Sequence, residues 1–234
     1  MSALSRRLTL LALLIIAGVF ARLGFWQLGR LEERREANRV AAAARAQPAR
    51  ELAVGADRTV EALSERWVEA TGEFDHTREI VLRGQAFMGT PGVLVVTPLR
   101  LEAGDSAVLV LRGFVPSADA VRADLDSLRE PGTMRVRGLA TAIASGGGQP
   151  LEHAGRTTWA RLDLAALRAR LPYPLLPVLL RQTPAAGLPS LPRRLPAPEL
   201  SEGPHLSYAV QWFAFAVMAV AFGVLIVGKA KRSG

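Results

Sequence analysis

Cysteine is absent from the 234 residues. That absence excludes disulfides, thiolate metal sites, covalent c-type haem attachment and a cysteine-based copper-chaperone site. Histidine is scarce: His76, His153 and His205 are the whole set, so a three-histidine metal centre would need all of them to converge. No internal repeat is present. No basic cluster is interleaved with aromatics in the way a single-strand nucleic-acid platform requires, so no nucleic-acid partner is expected. Gly146-Gly147-Gly148 lacks the lysine-serine or dinucleotide pattern of a phosphate cradle and reads as a flexible loop. Ser64, Ser106 and Ser145 stand in no nucleophile-elbow pattern. Asp75-His76 and Glu152-His153 are adjacent acid–histidine pairs, and both read as surface turns. A catalytic constellation would have to be assembled from these by the fold; the chain is not expected to be an enzyme.

The formal charge is +8. Many of the positive residues flank apolar segments or lie scattered among acids, which points to an anionic lipid surface. Two apolar segments bracket the chain. His205 to Val227 carries, from Tyr208 onward, one strongly polar side chain, Gln211. It meets the length of about 20 residues that a membrane span needs. Tyr208 and Trp212 lie where an aromatic belt would, and Lys229, Lys231 and Arg232 follow at the other end. At the N-terminus, Arg6 and Arg7 precede a run from Leu8 to Phe20, and Leu23 to Trp26 resume it after Arg22. A signal peptide with a loose cleavage site at Val19-Phe20-Ala21 is the rival reading. Arg22, which can snorkel to the interface, favours an uncleaved span. The spans are placed at 8–26 and 206–228, with a domain and its linkers at 27–204. Basic residues at both ends favour cytoplasmic termini and an extracytoplasmic domain, while Arg30, Arg34, Arg35 and Arg39 argue the other way.

Between the spans, Leu28 to Arg45 has helical spacing that Pro48 stops. Strands are predicted at Arg66–Phe74, with a bend at Thr71-Gly72, and at Glu79–Arg83, ended by Gly84. Further strands are predicted at Gly92–Leu101, Ala107–Val115 and Thr133–Ala140. Glu102-Ala103-Gly104-Asp105 makes a hairpin of the middle two. Ser117–Leu128 has helical spacing at Ala118, Val121, Leu125 and Leu128. Asp163 is placed to cap a short helix reaching Leu171. Leu175–Leu180 is a strand in which Pro177 implies an edge or a bulge. Pro184–Pro204 reads as a stiff connector. The fold class is therefore α+β: a two-helix transmembrane hairpin carrying a mostly antiparallel extracytoplasmic domain, its sheet either open or barrel-like.

Gly24-Phe25-Trp26-Gln27-Leu28-Gly29-Arg30 resembles the signature after the first span of the Surf1 family of cytochrome c oxidase assembly proteins. His205-Leu206-Ser207-Tyr208-Ala209-Val210-Gln211-Trp212-Phe213 resembles the signature that opens that family's second span. Thr97-Pro98-Leu99 and Val110-Leu111-Arg112-Gly113-Phe114-Val115-Pro116 are similar to its central motifs. Two positions depart from the pattern: Gly203-Pro204 where asparagine usually precedes the histidine, and Phe114 where tryptophan is usual. The resemblance implies a membrane-bound assembly factor for haem-copper cytochrome c oxidase in the bacterial cytoplasmic membrane. Such a factor would bind haem a transiently and assist its insertion into its partner, subunit I, with haem a synthase as a further partner. Carried onto this sequence, the implied site is His205, as the metal ligand, with Tyr208, Gln211, Trp212, Trp26, Gln27 and Arg30. The chemistry agrees: imidazole ligates haem iron, aromatics suit the macrocycle, and Arg30 suits a propionate. His205, Tyr208 and Trp212 share one helix face by spacing. Ordinary belt aromatics and a helix-capping histidine are the bland reading of the same residues. A membrane scaffold that stabilises an assembly intermediate without touching haem is the alternative function.

Overall fold

The computed structural model describes residues 3–53, 55–153 and 156–232, with backbone alone for Ala3, His153, Arg156 and residues 228–232. In chain order the elements are α1 (Ala3–Arg45), β1 (Arg50–Glu51), α2 (Val60–Leu63), β2 (Trp67–Phe74), β3 (Ile80–Phe87), β4 (Thr90–Leu101), β5 (Ala107–Pro116), β6 (Thr133–Ala142), β7 (Pro150–His153), β8 (Arg156–Trp159), α3 (Leu164–Arg170), β9 (Leu175–Gln182) and α4 (His205–Arg232). They form two compact units, Met1–Val40 with Leu200–Gly234, and Ala41–Glu199.

In the first unit α1 and α4 are each long and apolar enough to cross a membrane, consistent with a membrane protein. They pack antiparallel: Leu10 and Leu13 lie against Gly223, and Gly24 lies against Phe213. Their remaining faces stay bare, with Leu8, Leu14, Val217 and Phe222 between 59% and 67% exposed. Water does not tolerate so large an apolar surface, whereas lipid matches it. The side chains of Lys229, Lys231 and Arg232, read above as an anchoring tail, lie outside the described residues.

The second unit is built on a closed five-strand barrel. β2 pairs with β6, β6 with β9, β9 with β5, β5 with β4, and β4 returns to β2 through Gly72–Leu101, Glu73–Arg100 and Phe74–Leu99. Only β5 and β9 run parallel within the ring. Closure depends on Gly72, where an added Cβ would sit 2.0 Å from the Arg100 carbonyl oxygen. Beyond the ring β3 extends the sheet from β4, and the β7–β8 hairpin joins β3. Strand β5 is buried on both faces. Val108 and Val110 join Val68, Val136 and Leu180 in one cluster, while Leu109 and Leu111 join Trp159 and the α3 residues Leu164 and Leu167 in another. This is why residues 107–111 read as a continuous apolar run.

A buried ion network ties the strands to the loops. Arg112 is fully buried on β5. Its guanidinium donates to Glu79 Oε1 at 2.7 Å, to Glu130 Oε1 at 2.7 Å and to the Leu128 carbonyl. Arg194 donates to the same Glu130 oxygen at 2.6 Å and to Gln182 Oε1 at 3.1 Å.

Several expectations change. Thr71-Gly72 is no bend; β2 runs through it, and the glycine serves close approach instead. Gly84 does not end β3; with φ +69° it makes the irregularity between Leu82 and Gln85, and the strand continues to Phe87. Ser117–Leu128 is not a helix. The Asp119 carboxylate accepts from the amides of Val121 and Arg122 and from the Ser117 hydroxyl, which holds its pKa down to about 2. Those local bonds offer the backbone turns in place of a helix, and one 3-10 turn at Asp126–Leu128 remains. Pro177 marks a bulge: β5–β9 pairing shifts register between Ala107 and Leu109, and β9 is a central strand. The proline-rich connector is anchored to the barrel by the Phe114–Arg193 bridge and by buried Arg194. The β7–β8 hairpin had no prediction. The Asp163 cap and its helix occur as expected, with Asp163 accepting from the Ala166 amide at 3.0 Å.

Candidate functional site

Helix α4 begins at His205 because Pro204 cannot continue a helix backward and its carbonyl serves the first turn. The Tyr208 amide donates to it at 3.1 Å and the Ser207 hydroxyl at 2.8 Å. Antiparallel packing then sets His205 beside the end of the apolar part of α1. His205 Nδ1 lies 2.8 Å from Gln27 Oε1. An amide oxygen only accepts, so Nδ1 donates in this contact, and in the neutral ring Nε2 then keeps its lone pair. This is the arrangement by which an outer hydrogen bond fixes the tautomer and ring orientation of a metal-binding imidazole.

Around that pair the helices are held by aromatics. Trp212 stacks on Phe20 with ring centroids 5.6 Å apart, and Phe215 packs against both rings. Phe25 meets Phe213 edge-on at 5.2 Å. Gly24 makes this approach possible, since a Cβ there would lie 2.6 Å from the Phe213 ring. The other expected residues stand further out. Trp26 is 57% and Tyr208 47% exposed, and Gln211 is exposed. Arg30 is paired with Glu33 one turn on, at the exposed surface. The structure therefore joins His205 to Gln27 and places Trp212 in the helix–helix seam. It leaves Trp26, Tyr208, Gln211 and Arg30 as a surrounding surface.

Four residues not expected at the site hold the approach to His205, two of them, Arg34 and Arg35, having counted only as charges bearing on orientation. Arg34 Nε donates to the Ser201 carbonyl at 2.9 Å. Arg35 forks onto Glu202, Nε to one oxygen at 2.9 Å and Nη2 to the other at 3.0 Å. The Glu202 carboxyl is held below its usual range by that hydrogen bond and charge, and the Arg35 guanidinium is raised by the same contact. In sequence these were four polar residues among many; only the α1–α4 pairing shows that they meet.

In the second unit the acid–histidine pairs serve structure. Asp75 accepts from the Thr77 amide and hydroxyl and, at 2.9 Å, from the Tyr173 hydroxyl. Burial pushes its carboxyl up, but these bonds outweigh it and leave it below the usual value. His76 Nε2 accepts from the Glu130 amide at 3.1 Å. A cavity of about 430 Å³ opens beside His76 and Glu79, walled by Leu125, Trp159 and Leu167, yet both titratable groups already belong to the barrel's network. Glu152 accepts from the Thr157 hydroxyl at 2.7 Å, and the His153 side chain lies outside the described residues.

Among the described residues no three His, Cys, Asp or Glu side chains cluster as metal ligands. A single oriented imidazole instead suits a metal whose other donors come with a macrocycle. Comparison with known proteins agrees with the motifs. The SURF1 family model matches residues 14–217. A SURF1-like protein of Monosiga brevicollis is 30% identical over 241 residues, covering 95% of this chain and 89% of that protein. The match runs from within the first apolar helix, through the barrel, to within the second, and the chain belongs to the SURF1 family, whose members are generally oxidase assembly factors.

Proposed function

We propose that this protein binds haem a through His205 and assists its insertion into subunit I of a haem-copper cytochrome c oxidase. The observation that carries the reading is the 2.8 Å contact between His205 Nδ1 and Gln27 Oε1, which leaves Nε2 as the free donor. Haem a supplies the iron and a broad apolar ring; the chain's residues supply the ligand and its surroundings. Gln27 holds a proton on Nδ1, and in the neutral ring that leaves the Nε2 lone pair for the iron. Trp212, Phe20 and Phe215 keep water from the seam behind the ligand. Arg30 can exchange its exposed partner Glu33 for a propionate, at little cost because surface pairs are weak. We place the protein in the bacterial cytoplasmic membrane with both termini cytoplasmic and the barrel outside, where it meets subunit I and haem a synthase.

The test is the haem content and visible spectrum of the full-length protein and of His205→Ala, purified from cells with haem a synthesis active. The variant is expected to lose most of the bound haem while the barrel keeps its unfolding midpoint, because His205 contributes nothing to the barrel core. Wild-type haem levels with an unchanged spectrum in His205→Ala would exclude the ligand role. A wild-type protein that carries no haem under those conditions would favour the scaffold function.

A further inference from the structure

One face of α1 meets the stretch 201–205 at three points. Gln27, Arg34 and Arg35 are seven and eight residues apart, so they lie on the same side of the helix. They contact His205, the Ser201 carbonyl and Glu202 in turn. Only Gly203 and Pro204 separate Glu202 from the imidazole of His205. Gly203 adopts φ +71°, which favours glycine, and its amide donates to Ser201 Oγ at 3.1 Å. A Cβ at Gly203 would lie 3.5 Å from His205 Cδ2 and 3.7 Å from Nε2. Those are ordinary contact distances, so it is the positive φ, and the turn it makes beside the ring, that calls for glycine. The Pro204 carbonyl is held by two donors of the first turn of α4. Every residue from 201 to 205 therefore has its own fixing contact, and the backbone has little freedom to rotate the ring.

We propose that Arg35 and Glu202 are positioning residues, which together with the Arg34–Ser201 contact lock the approach to α4 so that His205 offers Nε2 to the haem. This rests on the haem-binding reading above. The fork geometry matters more than the attraction. The Arg35 and Glu202 side chains are 42% and 49% exposed, so charge alone is heavily screened, whereas two parallel bonds fix direction. A lysine at position 35 keeps the charge and loses the fork.

The experiment uses the full-length protein in lipid nanodiscs. It compares wild type, Arg35→Glu, Glu202→Arg, the double exchange Arg35→Glu/Glu202→Arg, Arg35→Lys and His205→Ala. Two readouts are taken: the rate of haem loss to apomyoglobin with the Soret and EPR signature of the bound haem, and the imidazole nitrogen signals of haem-free, 15N-histidine-labelled protein, with His205→Ala identifying the His205 peaks. Each single reversal is expected to speed haem loss roughly two- to fivefold, the scale an exposed pair supplies. Each should also weaken the Nδ1-protonated signal of His205. The double exchange should return both toward wild type, and Arg35→Lys should fall between. A change in overall stability alone would not move the tautomer signal. Single reversals that leave both readouts at wild-type values, or a double exchange with no recovery, would overturn the proposal while leaving the ligand role of His205 standing. If wild type holds no haem the binding reading falls, and the tautomer signal still judges the clamp: an unchanged signal in Arg35→Glu overturns it.

Discussion

Replacing Arg112 with methionine should unfold the barrel more readily than any loss of apolar contact at that position could explain. The guanidinium is fully buried and makes ion-paired bonds to Glu79 and Glu130, and it lies 5.3 Å from the centre of the Phe74 ring. Methionine fills much of the volume and removes the charge. Glu130 keeps Arg194, at 2.6 Å. Glu79, whose side chain is 5% exposed, keeps only the Thr97 hydroxyl at 2.6 Å and the His76 ring nitrogen at 3.6 Å. A carboxylate would then be buried without its cation. Removing one partner of such a pair typically costs about 3–5 kcal/mol, a large part of the roughly 5–15 kcal/mol that stabilises a domain. The measurement is urea unfolding of the detergent-solubilised protein, followed by near-ultraviolet circular dichroism. If the cost comes from the stranded charge, Glu79→Gln in the Arg112→Met background should recover much of it, although Glu79→Gln alone should destabilise, since it takes a carboxylate partner from Arg112 instead. A loss below about 1 kcal/mol in Arg112→Met, or no recovery in the double variant, would show that the network does not hold the barrel as argued.

Three further outcomes follow from the same structure. Leu109→Ala, at a fully buried position beneath α3, should cost about 2–5 kcal/mol in the same unfolding assay, and less than 1 kcal/mol would contradict its burial. The barrel should weaken in acid. Burial pulls the Glu130 carboxyl up, but Arg112 and Arg194 outweigh it and hold it below its ordinary 4.5, so its stabilisation is present above that value and is lost as pH falls through the lower folded value; the urea midpoint should drop as pH falls below 4.5, and Glu130→Gln should flatten that drop. Reporter fusions at Gly147 and Gly234 should report opposite sides of the membrane, with Gly147 outside, and cytoplasmic signal at Gly147 would reverse the proposed orientation.

What the sequence made legible was whatever depends on local pattern. The two apolar helices, the β4–β5 hairpin and the Asp163 cap each rest on spacing or on one side chain's reach, and each is present. Glycine and local polar bonds misled where long-range geometry decides. Gly72 looked like a bend because a glycine inside a strand weakens it, yet its lack of a Cβ is what lets β2 and β4 close the ring. Ser117–Leu128 had helical apolar spacing, but Asp119 satisfies two amides at once, and the backbone takes local turns in place of a helix. The buried role of Arg112 was hidden for a different reason. Its motif was visible, but its partners Glu79 and Glu130 lie 33 and 18 positions away, and only the folded barrel collects them.

The same distinction separates the two halves of the candidate site. His205 and Gln27 each stood in a recognisable signature, so their identities were legible; their contact was not, because it spans 178 positions and depends on how α1 and α4 pair. Arg35 and Glu202 had no signature at all. In an isolated sequence Arg35 is one positive residue on a charged helix, compensated equally well by Glu32 at the three-residue spacing. The structure spends it on Glu202 instead, because the stretch before α4 returns along the same face of α1 that carries Gln27. A site formed where two distant segments run antiparallel exposes to sequence reading only the residues that chemistry marks as unusual, such as a histidine at a membrane boundary. The ordinary charges that orient it become recognisable once the pairing is known, which is why the charge exchange at positions 35 and 202 tests the geometry in a way that replacing His205 alone does not.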